Sequence, residues 1–197
     1  MEFSKILGVK TIKTYVLIYD SFVQFEIVLA CYLMKSSGEI VTVGMNKDPV
    51  HSFEGFITVP HIMIDEINID EVDLFLMPGG DPGGIGERGK LYKLLRELDQ
   101  KGVVIGAICS APIHLAKASI LKGKRYTTTL TLDEFPEFEK ENYEDDNIII
   151  GHNIITAKAS AYVDFAIELG KMMNIYQDEE DLLETIRYFK YYDQKLC

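Results

Sequence analysis

The chain has 197 residues, 47% hydrophobic and 26% charged, the composition of a soluble globular protein long enough for a full core. Its formal net charge of −11, from 31 acidic against 20 basic residues, repels a phosphate backbone and argues against nucleic acid as a partner. No apolar run approaches the ~20 residues that cross a bilayer, and three cysteines do not make a disulfide framework, so the cytoplasm is the expected setting.

The opening stretch "MEFSKILGVKTIKTYVLIYD" carries Glu2 early and no small-residue cleavage site, so no signal peptide is expected. Within it "TYVLIYD" (Thr14 to Asp20) has the length and apolarity of a buried strand, and "FEIVLACYLMKSSG" (Phe25 to Gly38) has helical length with a glycine stop. "EIVTVG" is a second strand, and "VDLFLMPGG" (Val72 to Gly80) a third, closed by a Pro-Gly-Gly breaker. "KLYKLLRELDQKG" sets Leu91, Leu94, Leu95 and Leu98 on one helical face. "VVIGAI" is the next buried strand and "APIHLAKAS" the helix after it. The basic cluster "KGKR" (Lys122 to Arg125) reads as a solvated turn. "RYTTTLT" and "NIIIGHNIITA" read as β segments, "SAYVDFAIELGKMM" as a helix, and "DEEDLLETIRYFKYY" as a last helix with an acidic first turn.

This alternation predicts an α/β fold: a mostly parallel sheet with helices on both faces. No linker-like composition shift divides the chain, so residues 1–197 are expected to form one domain. Its core spans about 14–173 and a C-terminal helical extension about 178–193.

Sites in such sheets form beyond the carboxyl ends of the strands. Three features fall there: Cys109 directly after "VVIGAI", Gly79 and Gly80 after "VDLFLMP", and Glu26 at the start of the first helix. A cysteine on a sharp strand-to-helix turn is held at the sheet's mouth as a nucleophile, and a helix N-terminus lowers a thiol's pKa. The Ser110 N–H with one from the Gly79–Gly80 loop is expected to receive an oxyanion, and Glu26, protonated if desolvation raises its pKa, to hydrogen-bond the sulfur. Cys31, mid-helix among Ala30, Tyr32 and Leu33, reads as inert core, and Cys197 as exposed.

The segments "FLMPGGD", "GAICSAP" and "IITAKASAYVDFAIEL", with Glu26 at the first helix, resemble the ThiJ/PfpI superfamily, which includes the Parkinsonism-associated protein deglycase. The likeness runs in order from about Thr14 to Met173. It implies a flavodoxin-like sandwich of the class I glutamine amidotransferase-like kind, a catalytic Cys109 partnered by Glu26, and a homodimer. The helix after Gln177 resembles that of bacterial members described as proteases or amidotransferase-like proteins.

Members that hydrolyse or deglycate often place a histidine near the thiol. The position after the cysteine is Ser110 here, and the position in the strand after the elbow helix is Thr129, in "YTTTLT". His114, five residues past Cys109 on the same helix, should point elsewhere. His152 sits in the "GHN" turn, and His51 and His61 flank a short β segment as surface or capping histidines; Thr129, His114 and His152 are the accessory candidates. Their spacing matches no zinc motif, and "GGDPGGIG" lacks both the Lys-Ser/Thr of a P-loop and the spacing of a dinucleotide site, so neither metal nor cofactor is expected.

Three functions stay open on these grounds. The first is a cysteine-dependent enzyme on a small electrophilic carbon (carbonyl, amide or isocyanide); the second is a thiol sensor oxidised at Cys109; the third is a non-catalytic partner-binding dimer.

Overall fold

In the computed structural model, which describes residues 11–86 and 88–193, β1 (Ile12–Leu17) enters the centre of a seven-stranded sheet. Helix α1 (Phe25–Ser37) follows and passes directly into β2 (Gly38–Gly44), which pairs parallel to β1. A small antiparallel hairpin, β3 (Val50–His51) and β4 (Ile57–Thr58), stands apart from the main sheet, and β5 (Ile62–Met63) adds to β2 at its edge.

The chain then returns to the other side of β1 as β6 (Leu74–Met77), crosses through α2 (Arg88–Gln100) to β7 (Val104–Ile108), and turns into the short α3 (Pro112–Lys117). The hairpin β8 (Ile148–Ile150) and β9 (Ile154–Ala157) completes the order β5-β2-β1-β6-β7-β9-β8, with β8 the antiparallel member. Helices α4 (Tyr162–Met172) and α5 (Glu179–Tyr191) close the described chain. From β1 the chain steps one way to β2, and from β6 it steps the other way to β7. The junction of β1 and β6 is therefore the topological switch point, where α/β sheets open their crevice.

The central strands are buried on both faces, which is why they read as unbroken apolar runs: all four residues of β6 are inaccessible. Leu91, Leu94, Leu95 and Leu98 of α2 are buried as their helical spacing requires, each contributing about 1.5–3 kcal/mol of transfer free energy. Helix α1 packs on α4, and α2 on α3. Helix α5 is seated more lightly: Asp178 caps its start by accepting the Asp181 N–H at 2.9 Å, Phe189 meets Tyr32 edge-on at 5.8 Å, and none of its residues is fully buried.

The segment "RYTTTLT" forms no strand of the sheet: Tyr126 makes an isolated bridge to Tyr143, and the chain bends at Thr129 and Leu130. Its hydroxyls take the bonds a ladder would use: the Thr127 N–H donates to Thr156 Oγ1 at 2.9 Å, and Thr127 Oγ1 donates to the Asp146 carbonyl at 2.8 Å. Among the described residues no helix is long and apolar enough to cross a membrane. Cys197 and the first ten residues of the opening stretch lie outside the described residues.

Candidate active site

Cys109 directly follows β7 with φ 63°, the left-handed region, which costs a non-glycine residue about 1–3 kcal/mol. Three hydrogen bonds hold it there. Its N–H donates to the Ala157 carbonyl at 2.8 Å, and its own carbonyl accepts from the Thr129 N–H at 3.0 Å and from Thr128 Oγ1 at 2.8 Å. The turn swings the half-buried thiol over the carboxyl ends of the strands, toward Glu26.

Glu26 is 2% exposed in the first turn of α1. The end of that helix is fixed from outside: the Glu54 carboxylate, from the β3–β4 hairpin, accepts the Gln24 N–H at 3.1 Å and the Phe25 N–H at 3.0 Å. Glu26 Oε2 accepts the Gly79 N–H at 2.8 Å, and the carboxyl hydrogen-bonds the Cys109 thiol. Gly79 is required by space. A Cβ there would lie 2.5 Å from Cys109 Cβ, 2.7 Å from Sγ and 2.8 Å from Glu26 Oε2.

Burial pushes the Glu26 carboxyl above the usual carboxylate range, against the pull of its hydrogen bonds from Cys109 and Gly79. The thiol, expected from its place before a helix to be acidic, is instead pushed up to about 12. Burial is the main cause, followed by the charge of Glu26 and its hydrogen bond. The Thr129 hydroxyl and the Ser110 N–H pull the other way. Helix α3 has only six residues, too short a dipole to outweigh burial. Losing the thiol proton beside a charged Glu26 would leave two negative groups in contact, which is how that charge holds the thiol up.

The loop does not present the expected free oxyanion donor. The Gly79 N–H goes to Glu26, and the Gly80 N–H goes to Ser110 Oγ at 3.0 Å. The Ser110 N–H lies near the sulfur and pulls its pKa down.

Thr129 is brought to the thiol; the two candidate histidines are not. His114 is 2% exposed against Tyr92 of α2, ring centroids 6.2 Å apart, and its Nδ1 meets no hydrogen-bond partner among the described residues. Burial, then Lys117 and Arg88, push its pKa down to about 4. His152 is exposed just before β9, at the opposite end of the strand from Ala157, which touches Cys109. His51 lies 3.7 Å from Asp20 on the surface, and His61 Nδ1 accepts the Thr42 N–H at 3.0 Å. Cys31 is also pushed up to about 12, by burial, as suits an inert core thiol. Among the described residues no group of three or more His, Cys, Asp or Glu side chains gathers to hold a metal.

Sequence reasoning missed three supports. Thr128 ties the elbow carbonyl, Glu54 caps α1, and Tyr19, buried below the loop, donates its hydroxyl to the Pro78 carbonyl at 3.2 Å. Only Thr128, inside the "TTT" run beside Thr129, left a trace in the sequence.

A sequence model of the DJ-1/PfpI family matches residues 12–172, from β1 to the end of α4. The chain belongs to the DJ-1/PfpI family. It is 30% identical over 146 residues to the "Uncharacterized protease YoaZ" of Bacillus subtilis, covering 72% of this chain and 69% of that protein. It is 26% identical to the "Glutathione-independent glyoxalase DJR-1.2" of Caenorhabditis elegans, covering 81% of this chain and 87% of that one. The fold matches the crystal structure of a ThiJ/PfpI family protein from Bacillus anthracis with a TM-score of 0.84 at 21% identity, over 93% of each chain. The sheet, mostly parallel and flanked by helices, is that of a flavodoxin-like α/β protein.

Proposed function

We propose that the protein is a cysteine-dependent enzyme acting on small carbonyl compounds, with Cys109 as nucleophile and Glu26 as the group that takes and returns its proton. The observation that carries this reading is the held thiol: a left-handed cysteine just past β7, at the carboxyl edge of the sheet, hydrogen-bonded to a buried carboxyl. Thiol addition to an aldehyde forms the Sγ–C bond while the carbonyl π pair moves to oxygen. The oxygen then takes a proton through Glu26, and nothing has to leave. Peptide or amide cleavage needs an acid for the departing amine, and an imidazole does this best near neutrality. His114 and His152 point away from the thiol, so the reading favours aldehydes over amides. The relative described as a glyoxalase supports the same substrate class.

The test is turnover of methylglyoxal, glutamine, a peptide and an isocyanide by wild type and Cys109→Ser. Methylglyoxal consumption that disappears in the variant is expected; consumption that survives it sinks the reading.

A second reading has its own support. The Glu26 carboxyl, the Thr129 hydroxyl and the Ser110 N–H all hydrogen-bond the sulfur, an arrangement suited to an oxidised thiol. Peroxide would give sulfenate, releasing water, and a second peroxide sulfinate. A mass gain of two oxygens confined to Cys109 under mild peroxide supports a sensor role.

For assembly we propose a homodimer through the face made by α1 and the β3–β4 hairpin. Phe25, Val28, Tyr32 and Phe56 are exposed there, around an open groove of about 420 Å³ also lined by Tyr162 and Phe189. Sedimentation of wild type against Tyr32→Glu reads it out. The cytoplasm is the proposed setting, because Cys31 and Cys109 are free thiols.

A further inference from the structure

Gly80 is pinned from behind. Its φ of +138° suits only glycine, and a Cβ there would meet the Ser21 carbonyl oxygen at 2.4 Å, Phe22 Cα at 2.9 Å and Tyr19 Oη at 3.0 Å. From the front it faces one side chain. The Gly80 N–H donates to Ser110 Oγ at 3.0 Å, and the same hydroxyl donates to the Gly80 carbonyl at 2.8 Å. A single hydroxyl, on a buried residue next in sequence to the nucleophile, thus occupies both backbone groups of the residue after the glycine packed on Sγ.

We propose that the Ser110 hydroxyl is a gate on the Gly80 N–H, withholding it from an oxyanion formed at Cys109 and so setting which electrophiles the thiol processes. This rests on the reading of Cys109 as a carbonyl nucleophile. An oxygen that gains charge during addition needs donors about 2.7–3.1 Å away. The Gly79 N–H is committed to Glu26 and the Gly80 N–H to the Ser110 hydroxyl. Of these two partners Glu26 is 2% exposed and packed against Gly79 beside the thiol, whereas the Ser110 hydroxyl is freed by one side-chain rotation. Rotation leaves the Gly80 carbonyl without its donor, a loss of the size of an unmet buried hydrogen bond. The closed gate therefore slows reactions that build an oxyanion and spares those that do not.

Two reagents separate these cases. Methylglyoxal adds as described above: Sγ–C forms, the π pair goes to oxygen, and the thiol's proton completes the hemithioacetal. Iodoacetamide alkylates: Sγ–C forms, C–I breaks, iodide leaves, the thiol's proton passes to solvent, and no oxygen gains charge.

The decisive experiment measures both rates on wild type, Ser110→Ala and Ser110→Thr, with amide exchange of Gly80 followed by NMR. Ser110→Ala should speed hemithioacetal formation about a hundredfold, the scale of one oxyanion donor, while alkylation stays near its wild-type rate. Gly80 exchange should quicken in the same variant. Ser110→Thr, which keeps the hydroxyl, should restore the slow addition. A merely structural role would move both rates together, so an unchanged or lowered ratio of addition to alkylation in Ser110→Ala overturns the gate. Addition that persists in Cys109→Ala fails the nucleophile reading instead. Addition lost in Cys109→Ala with an unmoved ratio in Ser110→Ala defeats the gate alone.

Discussion

Thr129 is tied to Cys109 twice: its N–H donates to the Cys109 carbonyl at 3.0 Å, and its hydroxyl hydrogen-bonds the thiol. The same oxygen accepts the Ala159 N–H at 3.2 Å. A side chain at this position faces the sulfur. Thr129→His should therefore bring an imidazole within reach of a substrate oxygen or amine, and general acid–base help is worth roughly 10²–10⁴ in rate. Cys109-dependent aldehyde turnover should rise toward that range in a steady-state assay, and no gain would mean that proton transfer does not limit the reaction.

Glu26→Gln should move the Cys109 titration to lower pH. In the wild type the carboxylate charge is the second cause, after burial, holding the thiol up to about 12, and the amide carries none. Below its midpoint, a thiol that titrates one pH unit lower carries about tenfold more thiolate. Iodoacetamide rates followed against pH by mass spectrometry read this directly, with Cys31 as the internal reference. A plateau that moves to higher pH instead would show that Glu26 carries the shared proton and donates it to sulfur.

Gly79→Ala should abolish Cys109 reactivity without unfolding the protein. The new methyl meets Sγ and Glu26 Oε2 below 3 Å, so the pair has to part. Overpacking of this kind typically costs about 1–3 kcal/mol. Chemical denaturation should show that loss, and labelling of Cys109 should fall far more than stability does.

Acid should destabilise the fold through His114. Its folded pKa, about 4, lies below the 6.5 of the free side chain, so the unfolded chain takes up the proton first. The stability concerned is complete above pH 6.5 and is lost as pH falls toward 4, up to about 3 kcal/mol. Urea unfolding at pH 7.5 and 4.5 should show a smaller acid loss in His114→Leu than in wild type. Equal losses would mean that the imidazole is protonated in place.

The βαβ units could be read from the sequence because a strand buried on both faces leaves an uninterrupted apolar run, as in Leu74–Met77, and because α2 shows its leucines every third or fourth residue. Residues 45–71 gave almost no such signal. They form two-residue strands and 3₁₀ turns, too short for any period to develop. The threonines of 127–129 have strand propensity, but tertiary contacts drew their hydroxyls into other bonds. Cys109, Glu26 and Gly79 were found because their positions follow from strand ends. The Ser110–Gly80 contact was not, since a single side-chain hydrogen bond across 30 residues leaves no spacing to detect.

The sheet ends on β5, two residues long, and β8, three residues long. Neither border exposes enough unpaired backbone to template a strand from another molecule, so cross-β growth has little to start from. Among the described residues, the surfaces left for association between copies are side chains on helices and the small hairpin, where a charge substitution can tune or abolish it without touching the sheet.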